Sequence, residues 1–147
     1  MLADFQQALA DMVASPPLCR EVRANPSVLS DRYRLTDLEF RRLVNIVNQR
    51  GMGCNCTLYR ANRLAPLALN LHDVCTALGD RLTGLVDEFW ALYPETNANF
   101  VVECDRFCEF LRAKHEHGFP LSDEALEAFR RESLDLKLRL LAIYTVL

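Results

Sequence analysis

Cys54-x-Cys56 and Cys104-x-x-x-Cys108 are the residue pairs in this sequence that come closest to chemistry. Together they offer thiolates for a zinc ion or an iron–sulfur cluster, and the i,i+4 spacing of Cys104 and Cys108 puts both on one helix face. Their spacing argues against a shared metal. A metal knuckle uses Cys-x-x-Cys, in which one turn points both sulfurs inward, and neither pair has it. Cys104 and Cys108 also fall on a stripe with Phe100, Phe107 and Leu111, where free cysteines serve as small core hydrophobes. Cys54 and Cys56 precede an expected helix, and amide donors at such a place lower a thiol pKa. They are candidate reactive thiols for a stand-alone thiol, metal-binding or redox protein. The simpler alternative is a tight loop set by Gly51 and Gly53, with both sulfurs packed inward.

The residues that follow them are richer in recognition chemistry. Arg60 and Arg63 are i,i+3 neighbours on a helix, close enough to grip one carboxylate together, and Tyr59 lies i,i+4 from Arg63. With Asn62 they form a candidate partner-binding cluster of Tyr59, Arg60, Asn62 and Arg63. The competing reading pairs Arg60 or Arg63 internally with an acid of residues 73–109, because an arginine fork serves both purposes. His115-x-His117 suits the C-terminal end of a helix, and His72-Asp73 reads as a helix start. There is no HExxH, glycine-rich phosphate loop or GxSxG elbow. No catalytic residue and no metal ligand is assigned, and an enzyme acting alone is not expected.

The elements that must position these residues read as helices throughout. Leu2, Phe5, Leu9, Met12 and Val13 form one stripe, ended by Ser15-Pro16-Pro17. Short helices follow over Leu18–Ala24 and Ser27–Tyr33. Thr36 and Glu39 have capping-box spacing, and Gly51 fits the left-handed position after the helix that they start. Another helix is expected from about Cys56, kinked or restarted at Pro66. Leu71–Leu78 stops at Gly79, Asp80–Tyr93 stops before Pro94, and Asn97–His115 stops at Gly118-Phe119-Pro120. Ser122 caps a final segment with Leu126, Phe129, Ser133, Leu136, Leu140, Ile143 and Leu147 on one stripe. Leu134, Leu138 and Leu141 widen that stripe, which predicts neighbours on two sides. The alternation at Ser133–Leu138 is the only rival strand, and its leucine content favours helix. The expected fold is all-α, an irregular bundle of about six to eight helices. It is read as one domain over 1–147, with Pro94–Asn99 as a place where it could divide.

Bulk composition narrows the function classes. The 147 residues suffice for a core without disulfide or metal, and the six cysteines are expected to stay reduced. The N-terminus has no basic n-region, which predicts a cytoplasmic protein rather than a secreted one, and no apolar run suggests a membrane span. Net charge is −3, split as +2 over residues 1–60 and −5 over residues 61–147. That balance disfavours nucleic-acid binding, including a DNA-binding regulator, but leaves room for an Arg-lined groove facing an acidic peptide.

Leu58-Tyr-Arg-Ala-Asn-Arg-Leu-Ala-Pro-Leu-Ala-Leu69, Cys75-Thr-Ala-Leu-Gly79, Phe89, Tyr93-Pro94 and Arg106-Phe-Cys-Glu-Phe-Leu111 carry a family resemblance over about residues 55–112. This stretch resembles the helical partner subunits of multinuclear non-haem iron enzymes that modify cysteines in ribosomally made peptides, of the methanobactin and 3-thiaglutamate biosynthesis type. The resemblance implies a noncatalytic accessory subunit in a heterodimer, with no cofactor in this chain and iron in the partner. It places Tyr59 and Arg60 on the packed helix of that subunit. Asn25–Glu39 resembles the small helical subunit of protocatechuate-type extradiol dioxygenases and certain long peptide leaders, again implying a noncatalytic partner.

Overall fold

The computed structural model describes residues 2–95, 97 and 99–145. Among them the chain is all-α, with nine helices and no strand: α1 (Leu2–Ala14), α2 (Pro16–Ala24), α3 (Ser27–Arg32), α4 (Asp37–Val47), α5 (Arg50–Asn70), α6 (His72–Leu78), α7 (Arg81–Leu92), α8 (Phe100–Glu116) and α9 (Asp123–Thr145). Residues 133–138 are helical. Leu147, the last member of the inward stripe, and Thr96 and Ala98 of the Pro94–Asn99 turn lie outside the described residues.

Compact packing divides the chain within α5, into residues Met1–Asn62 and Arg63–Leu147. In the first unit the helices start where side chains can take up their free amides. The Ser15 hydroxyl accepts from the Leu18 amide, with proline in the first turn of α2. Thr36 and Glu39 form the full capping box of α4. The core collects Met12, Cys19, Val22, Leu29, Leu43 and Val47, with Met52 and Cys56 from the start of α5.

Gly51 is not the left-handed residue ending α4. That helix ends at Val47, and Asn48 stays right-handed with its side-chain amide donating to the Val44 carbonyl. Gly51 and Gly53 instead lie inside α5, which begins at Arg50 and absorbs the expected Gly51–Cys56 loop. Met52 and Cys56, one turn apart, are both buried. Their burial favours the helix over the flexibility that two glycines would otherwise confer. Helix α5 also runs through Pro66 without a second start.

The second unit contains residues 63–70 of α5 and helices α6–α9. Phe89 of α7 meets Phe107 and Phe110 of α8 at centroid separations of 5.3 and 5.6 Å, within the favourable range for ring pairs. Leu67, Leu71, Val74, Leu85, Leu111 and Leu136 close around them. Gly79 (φ 53°) ends α6 and Gly118 (φ 94°) follows α8, both in the conformation that glycine alone adopts freely. Ser122 caps α9, its hydroxyl accepting from the Ala125 amide.

Candidate functional site

The cluster singled out in α5 separates by burial. Asn62 is exposed, Tyr59 and Arg60 are half-buried, and Arg63 is only 5% exposed. Arg63 takes the internal pairing. Its Nη2 donates to Glu103 Oε1 at 2.7 Å and to the Tyr93 carbonyl at 2.8 Å, and Nη1 reaches the Pro94 carbonyl at 3.3 Å. The guanidinium also lies over the Trp90 ring, 5.3 Å from its centroid. Glu103 is 3% exposed, and its second oxygen accepts from the Asn97 amide at 3.4 Å.

One arginine therefore satisfies carbonyls at the end of α7 and an acid in the first turn of α8, tying down the connection between them. Arg63 Nε has no hydrogen-bond partner among the described residues. The clamp is a structural device, and its guanidinium is not presented to a partner.

The cysteines sort in the same way. Cys54 is exposed, whereas Cys56 is buried with its sulfur 3.9 Å from that of Cys19. Both thiols donate to the Met12 carbonyl, at 3.4 Å from Cys56 and 3.0 Å from Cys19. Burial, and then the neighbouring Cys56, push the Cys19 thiol up to about 11. Cys104 and Cys108 are core residues, as their stripe predicted, and burial raises both to about 12. Among the described residues no group of three or more His, Cys, Asp or Glu is arranged to hold a metal ion. His115 and His117 contact the carbonyls of Phe119 and Ala113 through Nδ1, fastening the end of α8.

The second stripe of α9 behaves differently from expectation. Phe129, Ser133 and Leu136 turn inward, but Leu134, Leu138 and Leu141 are 60%, 59% and 63% exposed. Helix α9 does pack against two neighbours, α6 and α8, but these three leucines face away from both. Beside this stripe an open cleft of about 530 Å³ is lined from α8, the following connection and α9. Leu121, Leu126, Phe129 and Leu134 supply apolar lining; Arg112, His115, Arg130 and Lys137 supply polar and cationic groups.

No family model, curated relative or solved structure matches the chain.

The cleft is the feature that reading the sequence missed. Its signal was the surplus leucine stripe, with Arg130 and Lys137 flanking Leu134 at i−4 and i+3. The inward packing of Arg63 had no comparable local signal, since Glu103 lies 40 residues away. A similar long-range contact fixes α6: the Glu132 carboxylate accepts from the Asp73 and Val74 amides at 3.0 and 2.9 Å, and Arg131 pairs with Asp73. No described helix is long and apolar enough to cross a membrane.

Proposed function

We propose that this chain is a noncatalytic accessory subunit that binds an iron-dependent peptide-modifying enzyme and helps to present a ribosomally made peptide substrate. The observation that carries the presenting role is the outer face of α9, where Leu134, Leu138 and Leu141 stand exposed at i, i+4 and i+7. Such spacing is how one helix offers an apolar track to another. The iron enzyme as partner comes from the resemblance of residues 55–112. The Arg63 clamp supports a structural part for this stretch: it orders the Tyr93-Pro94 turn that belongs to the same pattern. Tyr59, Arg60 and Asn62 remain the proposed contact residues on α5.

Co-expression with a multinuclear non-haem iron enzyme of the peptide-modifying type, followed by size-exclusion chromatography, tests the reading. A stable complex is expected, and peptide modification by the enzyme should fall at least about tenfold without this chain. Separate elution, together with unchanged turnover when the chain is omitted, would overturn it.

A further inference from the structure

The cleft between α8 and α9 and the outer leucine stripe are continuous, because Leu134 belongs to both. We infer that this continuous surface is the seat of an acidic amphipathic helix, and that the helix belongs to the peptide that the subunit presents. The inference rests on the proposed function and adds the chemistry of the segment that is held.

Length favours a helix over a compact ligand. From Leu126 to Leu141 the apolar track runs about 22 Å along α9, which matches about four turns of a partner helix. Charge favours an acidic one. Arg112, Arg130 and Lys137 line the cleft and no carboxylate does, the nearest acids to Arg112 being Glu109 and Glu116 on its own helix. Glu109 accepts from Arg112 at 2.5 Å and lies 3.7 Å from Lys137, so one acid is shared by two cations. Asp135, on the far flank of the stripe, is paired with Arg139 at 3.1 Å. Cations therefore outnumber acids at the cleft, although this half of the chain carries net negative charge.

Arg112 also lies over the Phe129 ring at 5.6 Å, which keeps its guanidinium at the mouth of the apolar floor. An occupant that places leucines along Leu126–Leu141 and carboxylates toward Arg112, Arg130 and Lys137 satisfies both parts of the surface. A second copy of this chain fits less well. It would carry a cationic rim to a cationic rim.

Fluorescence anisotropy on the full chain tests this. The probe is a fluorescein-labelled, end-blocked helical peptide of about four turns, with leucines at i, i+3, i+4 and i+7 and glutamates on the flanks. Micromolar binding is expected, weakened at least about tenfold when lysines replace the glutamates. Arg130→Glu with Lys137→Glu, and separately Leu138→Ser with Leu141→Ser, should each weaken it by a similar factor. All four residues are exposed, so unchanged thermal melting separates lost binding from lost folding.

Equal affinity for the acidic and basic peptides would overturn the inference. So would insensitivity to both double variants, tighter binding to vesicles of anionic phospholipid than to the peptide, or self-association that the Leu138→Ser/Leu141→Ser variant abolishes. The assay contains no iron enzyme. Failure here with the enzyme complex intact removes this inference alone, whereas peptide binding without any enzyme complex removes the partner reading alone.

Discussion

Arg63 and Glu103 form an ion pair that is almost wholly removed from water, and its energetics differ from those of a surface pair. Removing one member strands the other charge in the interior, a loss of about 3–5 kcal/mol, while replacing both by apolar residues of similar size can be nearly neutral. Arg63→Met should therefore lower the unfolding free energy by about 3–5 kcal/mol, with Arg63→Met/Glu103→Met recovering most of it. Urea titration of the wild type, Arg63→Met, Glu103→Met and the double variant gives the coupling directly. Equal destabilisation by the double and single variants would show that the Tyr93 and Pro94 carbonyls, rather than Glu103, are what Arg63 is needed for. The chemistry of this pair was legible in the sequence as an alternative, since an arginine fork demands an anion. The partner was not, because nothing local in Asp105, Glu103 or Glu95 distinguishes which acid the fold will bring to α5.

At the scale of the element, capping was legible and helix continuity was not. Thr36 and Glu39 are three apart and their roles follow from spacing alone; the hydrogen bonds from Thr36 hold the Glu39 carboxyl below its ordinary range. Thr36→Ala should cost about 1 kcal/mol. The Glu39 part of the box fades as pH falls through its lowered folded pKa, and is fully present above the unfolded value near 4.5. Gly51 and Gly53 misled because glycine is read locally as a breaker, whereas Met52 and Cys56 gain burial only if the helix runs through both. Nothing lies within 4 Å of a Cβ added at Gly53, and its backbone is helical. Gly53→Ala should then stabilise the chain by about 0.5–1 kcal/mol, read as a raised urea midpoint. Destabilisation instead would mean that residues 50–56 leave the helix in solution. The outer stripe of α9 is the opposite lesson: periodicity identified its leucines and α9 has its two neighbours, α6 and α8, but the pattern could not say that Leu134, Leu138 and Leu141 would face neither.

Across the whole molecule, both units hide groups that ionise only at high pH. Burial pushes Cys19 and Cys75 up to about 11 and Cys104 and Cys108 to about 12, from an ordinary value of 9.0. Burial and a 2.7 Å hydrogen bond to Asp11 raise Tyr33 from 10.0 to about 12. In the unfolded chain these groups release their protons near their ordinary values, while the folded chain still holds them. Between the two values the unfolded state binds fewer protons, so a rise in pH draws the equilibrium toward it. The stabilisation is complete below about pH 9 and is lost progressively up to about pH 12. The urea midpoint, measured with reductant present, should be level from about pH 7 to 8.5 and fall steeply by about pH 10.5. Cys104→Ala/Cys108→Ala should lower the midpoint at neutral pH, because it opens space in the core, yet flatten the alkaline fall, because two of the buried protons are gone. A midpoint that stays level to about pH 11 would mean that these thiols ionise in the native state as readily as in the unfolded one. The buried sulfurs would then be reached by water, and the helices packed over them would have to open.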